Sequence, residues 1–192
     1  RIHDVPAEAA AIGFAAPVHA LITGQPNERD RRIQLVTAPR FGIVGKDQVA
    51  DRLVDGLRRM EYRGYDSAGV CTLHCGQLVR RRAPGKLSNL VVELARDPAP
   101  GTTGIAHTRW ATHGAPTVDN AHPHIAGKVA LVHNGIIENF KPLRDALTAR
   151  GRIFESETDT EVVAHLVSEQ IEAGQSPTEA VIKGKDTILL GT

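Results

Sequence analysis

The sequence predicts an α+β fold. Apolar strand-like runs such as "FGIV" (41–44) and "KVALVHNG" (128–135) alternate with runs whose apolar residues recur every three or four positions, as on one face of a helix. The stretch "AGVCTLHCGQLVRRR" (68–82) has the pattern of a hairpin that turns near Cys75 and Gly76. This hairpin and the turn-rich strand ends favour a layered, mostly antiparallel sandwich, although the alternation also fits a parallel sheet.

Each element is predicted from its own pattern. The first helix lies in "KDQVADRLVDGLRRM" (46–60), where Val49, Leu53 and Leu57 share an apolar face and Asp47 is a candidate N-terminal cap. The most strongly patterned helix lies in "SETDTEVVAHLVSEQI" (156–171). The other predicted elements are a helix in "KLSNLVVELARD" (86–97), a strand in "TGIAHTRW" (103–110), a helix in "ENFKPLRDALTARG" (138–151) that stops at Gly151, and a strand in "KGKDTILLGT" (183–192).

Residues 1–40 differ in character from the rest of the chain. They are rich in alanine, then polar and charged through "TGQPNERDRR" (23–32), with no sustained period. We therefore predict an N-terminal extension over residues 1–40, loosely ordered or partly helical, and a compact domain over residues 41–192.

The composition excludes several classes of protein. With 23 basic and 22 acidic residues the formal charge is +1, which argues against a nucleic-acid binder, and the run "RRR" (80–82) is interpreted as a solvated face. The apolar segment 9–22 is too short to span a bilayer and lacks the basic cluster of a signal peptide, so no membrane association is expected. Two cysteines, Cys71 and Cys75, make no disulfide framework and suit a reducing cytoplasm; they are interpreted as a core thiol and a turn residue.

Four polar stretches are candidates for chemistry: "EYRGYDSAG" (61–69), "HTRWATHGAPTVDNAHPH" (107–124), "HNGIIEN" (133–139) and "SETDTE" (156–161). The histidines of the second and third stretches invite a metal hypothesis. No histidine pair has i, i+4 spacing with an acidic partner at a recognisable offset, so neither a metal nor another cofactor is predicted.

Three of these stretches each have a structural and a functional interpretation. Asn134-Gly135 is a type I′ hairpin signal, but a strand that ends in Asn-Gly can also offer an amide and a backbone N–H to an oxyanion. "SETDTE" fits a helix capping box through Ser156 or Thr158, while Asp159 could bind an ammonium group. Arg109 lies where a strand meets a loop, and its planar fork suits a carboxylate. Together these groups would form a pocket for a free amino acid.

These stretches, in this order, resemble the glutaminase domain of the glutamine–fructose-6-phosphate aminotransferase (glucosamine-6-phosphate synthase) family. The resemblance covers about residues 41–182. It rests on "LRRMEYRGYDSAGV", "GIAHTRWATHGAPTVDNAHPH", "VHNGIIEN" and "SETDTEVVAHL". Other type 2 amidotransferases share parts of this pattern, and the resemblance implies the four-layer αββα sandwich of the N-terminal-nucleophile hydrolases.

The resemblance also implies roles for single residues. Arg109 would bind the α-carboxylate of glutamine and Asp159 its α-amino group, while Asn134 and Gly135 would form the oxyanion hole. Three further residues would lie on a loop that closes over the ligand, namely Trp110, Thr112 and His113.

The chain departs from the family at its nucleophile. The family has an N-terminal cysteine before "GIVG", whose thiolate attacks the amide while its own α-amino group acts as base. Phe41 occupies that position here, and its nitrogen is a peptide amide. The turn between "GIVG" and "KDQVADRL" is also about three residues shorter than usual, and the chain ends before the family's domain does, without the sugar-isomerase domains.

We therefore expect a glutaminase-like domain, incomplete at its C-terminus and catalytically dead. Three alternatives remain open at this point. The chain could be a non-catalytic module that binds glutamine, a module that associates with an intact synthase, or a gene relic without function.

Overall fold

The computed structural model describes residues 11–12, 20–22, 40–59, 66–109 and 115–190. The strands of this part are β1 (Ala11–Ile12), β2 (Ala20–Ile22), β3 (Arg40–Val44), β4 (Ser67–His74), β5 (Gln77–Pro84), β6 (Thr103–Arg109), β7 (His124–Ala126) and β8 (Val129–Val132). The helices are α1 (Ala50–Arg58), α2 (Leu87–Arg96), α3 (Phe140–Ala149), α4 (Thr160–Glu172) and α5 (Pro177–Thr187).

The first sheet has the strand order β3-β6-β4-β5, and all of its neighbouring strands are antiparallel. β4 and β5 form the predicted hairpin, and its turn residues Cys75 and Gly76 have φ angles of 50° and 77°, as a type I′ turn requires. Helices α1 and α2 cover one face of this sheet, where Leu53, Leu57 and Leu90 are fully buried.

The second sheet has the order β1-β2-β8-β7 and is also antiparallel throughout. Helix α4 packs on β7 and β8, and α3 and α5 pack against α4. The core on this side includes Leu131, Ile137 and Val162.

The two sheets face each other across a small apolar layer. Cys71 and Ile105 of the first sheet meet Ala130 and Val132 of the second, and all four side chains are buried. The order of layers is therefore helix, sheet, sheet, helix. The described pairings favour the antiparallel sandwich over the parallel sheet that the sequence had left open.

Several local predictions are wrong. The N-cap of α1 is Val49, and no side chain caps the helix, so Asp47 has no capping role. Helix α4 begins after Asp159, also without a side-chain cap, so the capping boxes expected from Ser156 and Thr158 do not form. In the stretch predicted as a last strand, residues 183–187 belong to α5, which a capping box between Ser176 and Glu179 starts, and Leu190 forms an isolated antiparallel bridge with Ile137.

The prediction that the arginine run at residues 80–82 forms a solvated face is also wrong. Arg80 donates a 2.7 Å hydrogen bond to Glu155, and the side chain of Arg82 is only 8% exposed. Burial, then the nearby charge of Arg80, lower the pKa of Arg82 to about 10.

In the segment predicted as an extension, the structure describes two short strands. β2 pairs with β8, and β1 pairs with β2. The boundary at residue 40 stays a prediction. Among the described residues, no helix has the length and apolar character needed to cross a bilayer.

Candidate active site

Arg109 ends β6 and is 5% exposed. Its neighbour across the sheet is Ser67, the first residue of β4. The carbonyl oxygen of Arg109 accepts a 3.1 Å hydrogen bond from the N–H of Asp66. Burial lowers the pKa of the Arg109 guanidinium, while the charges of Asp159 and Asp66 oppose that shift. Arg109 and Asp159 are therefore close enough to interact electrostatically. They are the two residues predicted to bind the carboxylate and the ammonium group of one amino acid.

Asp159 precedes the first turn of α4 and is also 5% exposed. Its Oδ2 accepts a 2.8 Å hydrogen bond from the backbone N–H of Ile137, and its Oδ1 accepts a longer one, 3.5 Å, from the hydroxyl of Thr160. A carboxylate buried this deeply needs such donors, because an ion without partners is costly away from water. One side chain thus connects α4 to the segment that follows β8.

Asn134 and Gly135 lie in that segment, residues 133–137, and both are exposed. The chain continues from here into α3 rather than into a returning strand, so the hairpin interpretation of Asn-Gly is wrong. Gly135 lies against the ring of His133, since a Cβ added at position 135 would be 2.9 Å from Nε2 of that ring. Any larger residue would displace the histidine or the backbone.

A row of buried histidines runs from His107 on β6 of the first sheet to His124 on β7 of the second. The rings of His107 and His122 stack with centroids 4.5 Å apart, and His124 meets His122 edge-on at the same separation. The Nδ1 of His122 accepts a 3.3 Å hydrogen bond from the N–H of His133. Burial lowers the pKa of His122 well below its ordinary value and that of His124 to about 3, so both rings are neutral.

This row continues into the segment before α4. Nε2 of His124 is hydrogen-bonded to the hydroxyl of Thr158 at 3.0 Å, and that hydroxyl to Ser156 at 2.9 Å. The carboxylate of Glu161 ends this series of hydrogen bonds. It accepts hydrogen bonds of 2.6 to 2.7 Å from the Ser156 hydroxyl and from the N–H groups of Ser156 and Glu155. Burial raises the pKa of Glu161, but hydrogen bonds from His165, Ser156 and the backbone outweigh it and lower the pKa to about 2.

Sequence reasoning missed this buried network. The residues belong to "HPH" and "SETDTE", which were noticed for metal binding and helix capping. In the described residues, no group of three or more histidine, cysteine or acidic side chains has the geometry of a metal site. The histidines instead bond to hydroxyls and to each other's backbone, and they hold the segments that carry Asp159 and Asn134.

The other predicted site residues are those of the closing loop and position 41. Trp110, Thr112 and His113 lie outside the described residues, so their predicted role on a closing loop stays a prediction. The backbone of Phe41 lies in β3 opposite Ala106, three residues before Arg109 on the neighbouring strand. Position 41 is therefore opposite the middle of β6, in the part of β3 that is nearer to Arg109.

Residues 98–181 match the family model described as a glutamine amidotransferase domain. The chain contains a glutamine amidotransferase domain. Its match to curated proteins extends further than this model. Over 143 residues, 74% of the chain, it is 70% identical to the glutamine–fructose-6-phosphate aminotransferase [isomerizing] of Zymomonas mobilis, and over 141 residues it is 65% identical to that of Brucella abortus. It spans 24% and 23% of the lengths of these two relatives.

The amidotransferase domain also has solved structural neighbours. It aligns with the glutamine phosphoribosylpyrophosphate amidotransferase of B. subtilis, with a TM-score of 0.65 and 26% identity over 79% of this chain and 33% of the other. The expected α+β fold of the N-terminal-nucleophile hydrolases is confirmed.

Proposed function

We propose that the amidotransferase domain binds free L-glutamine and does not hydrolyse it. The supporting observation is the electrostatic interaction between two buried groups of opposite charge, Arg109 at the end of β6 and Asp159 before α4. A free amino acid carries a carboxylate and an ammonium on one carbon, so a guanidinium beside a carboxylate is the complementary arrangement.

The side-chain amide of glutamine would meet Asn134 and Gly135. These residues are exposed, yet Ile137 anchors their segment to Asp159. Asn134 offers an amide N–H and Gly135 a backbone N–H, and two such donors suit the carbonyl oxygen of an amide. We therefore assign glutamine rather than a shorter amino acid.

Hydrolysis would need a nucleophile that this chain lacks at position 41. In a residue that starts a chain, the α-amino group has a pKa of about 8 and can accept a proton from the attacking thiol. Here the nitrogen of Phe41 is an amide bonded to Arg40, and its side chain has no nucleophilic atom. Position 41 therefore has neither the thiol nor the free α-amino group.

Neither cysteine substitutes for the missing nucleophile. Cys71 is buried between the sheets, and burial raises the pKa of its thiol to about 12, with Arg80 opposing the shift. Cys75 lies in the turn that follows β4, whereas Arg109 pairs with Ser67 at the other end of that strand. A thiolate at either position would not reach a glutamine bound at Arg109.

We also propose that the chain acts in the cytoplasm and associates there with an intact synthase of the glutamine–fructose-6-phosphate type. The 70% identity to the Zymomonas enzyme supports a shared partner surface. Co-expression of the tagged chain with that full-length enzyme, followed by size-exclusion chromatography, tests this association. Separate elution of the two proteins would contradict it.

The central test is thermal unfolding of the full chain with and without millimolar L-glutamine, with L-glutamate and fructose 6-phosphate as controls. A ligand that binds only the folded state raises the midpoint by mass action. We expect glutamine to raise it, Arg109→Ala to abolish the rise, and no ammonia to be released. Indifference to glutamine would overturn the binding proposal, and ammonia release would overturn the claim of inactivity.

A further inference from the structure

The first turn of α4 holds the segment 133–137 at both ends. At one end, the ring nitrogen Nδ1 of His133 is hydrogen-bonded to Oγ1 of Thr160 at 3.3 Å. At the other end, the N–H of Ile137 donates to Oδ2 of Asp159 at 2.8 Å. Thr160 and Asp159 are adjacent in sequence, so one rigid element fixes both ends of the segment.

The ring of His133 lies directly against the backbone of Gly135. Nε2 and Cε1 would be 2.9 and 3.1 Å from a Cβ at position 135, so the ring occupies the space that a side chain would need. His133 and Thr160 are both 2% exposed, which leaves the ring no room to rotate into solvent. The position of the ring therefore sets the position of the Gly135 backbone.

Thr160 also restrains the orientation of the ring. Its Oγ1 is hydrogen-bonded to Nδ1 of His133 at 3.3 Å and lies 3.5 Å from Oδ1 of Asp159. Replacing Thr160 by an isosteric residue without a hydroxyl removes this restraint, together with the longer contact to Oδ1 of Asp159.

We propose that Thr160 and His133 are positioning residues that set the backbone of Asn134 and Gly135 for the side-chain amide of the ligand. This inference rests on the proposed function, because it concerns the same glutamine site. Neither residue touches the ligand in this assignment. They determine amide recognition, whereas Arg109 and Asp159 determine recognition of the α-carbon groups.

The test compares L-glutamine with L-norvaline, which has the same carbon chain but no side-chain amide. Calorimetric titration of the full chain measures the affinity of each ligand for Thr160→Val, for Thr160→Ser, which keeps the hydroxyl, and for Thr178→Val. The last is a matched control, since Thr178 is exposed in the first turn of α5. Loss of one hydrogen bond should cut the preference for glutamine over norvaline about fivefold to tenfold in Thr160→Val.

We expect Thr160→Ser and Thr178→Val to keep the wild-type preference, and Thr160→Val to weaken glutamine binding more than norvaline binding. Equal weakening of both ligands would overturn the proposal, since a purely structural defect affects both. If wild-type chain binds neither ligand, the proposed function fails, and NMR of the free protein decides the positioning role. The amide shifts of Asn134 and Gly135 should then change in Thr160→Val alone, and unchanged shifts would overturn it.

Discussion

The backbone N–H of Ile137 donates a 2.8 Å hydrogen bond to Oδ2 of Asp159, and both residues are buried. This bond joins the segment that carries Asn134 and Gly135 to the start of α4. It also means that Asp159 has two separable properties, a negative charge and a hydrogen-bond acceptor. The charge can be removed without removing the acceptor.

Asp159→Asn should keep the acceptor and lose the charge, whereas Asp159→Ala loses both. We expect the Asn variant to unfold within about 1 kcal/mol of wild type, and the Ala variant to lose about 1–3 kcal/mol because the Ile137 N–H is left buried without an acceptor. Both should lose glutamine binding. Urea unfolding and calorimetric titration measure the two effects. Wild-type affinity in Asp159→Asn would show that the ammonium group is recognised elsewhere.

Gly135→Ala should be more damaging than a glycine substitution in open space. The added methyl would lie 2.9 Å from Nε2 of His133, so the ring must shift, and we expect a loss of about 1–3 kcal/mol together with weaker glutamine binding. Gly151→Ala is the control. That glycine has φ of +85° with no atom within 4 Å of the added Cβ, so only backbone strain of about 1–2 kcal/mol applies.

Glutamine binding separates these two glycine variants, because Gly151 follows α3, outside the segment 133–137. We expect Gly151→Ala to bind glutamine as wild type does when both proteins are folded. Equal binding by Gly135→Ala would contradict the contact between His133 and Gly135.

Acid should destabilise the fold through the buried histidines. An unfolded histidine has a pKa near ~6.5, whereas the folded value is about 3 for His124 and well below the ordinary value for His122. Above pH ~6.5 these groups bind no protons in the folded or the unfolded state, so they do not change the free energy of unfolding. Below it the unfolded chain takes up protons that the folded one cannot, so stability falls by up to about 1.4 kcal/mol per pH unit for each ring.

Glu161 adds to this loss at lower pH. Its folded pKa is about 2 against an ordinary value of 4.5, so its stabilisation is complete above pH 4.5 and disappears as the pH falls toward 2. Urea unfolding between pH 8 and pH 2.5 measures how the free energy of unfolding changes with pH. We expect His124→Gln to reduce this dependence on pH, and His74→Gln, at an exposed position, to leave it unchanged. Equal slopes in all three proteins would contradict the assignment.

Phe41→Cys should not by itself produce a glutaminase, because the nitrogen of residue 41 remains an amide. Cleavage between residues 40 and 41 by a site-specific protease should then supply the missing amine, and ammonia release from glutamine should appear. Cleaved protein with Phe41 retained is the control, since it has the amine without the thiol. Activity in uncleaved Phe41→Cys would contradict the need for a free α-amino group. No ammonia release after cleavage would mean that the chain lacks more than the nucleophile and the free amine.

Local patterns predicted most elements because burial and chain geometry act locally in them. The apolar face of α1 contains Val49, Leu53 and Leu57, and all three are fully buried. The β4–β5 hairpin turns at Cys75 and Gly76 as predicted. The last helix was missed although its start is also a local signal, since Ser176, Pro177 and Glu179 form a capping box with a proline in the first turn.

The sequence by itself predicts which residues would form a glutamine site, because Arg109, Asn134 and Asp159 occur in motifs whose order resembles that of the family. The tertiary structure alone decided how these residues are held. Glu161 resembles a helix-capping residue in sequence, yet it binds the backbone of Glu155 and Ser156. Hydrogen bonds such as Ile137 to Asp159 join elements more than 20 residues apart. Periodicity reports only which face of one element is buried, whereas such bonds depend on how separate elements pack.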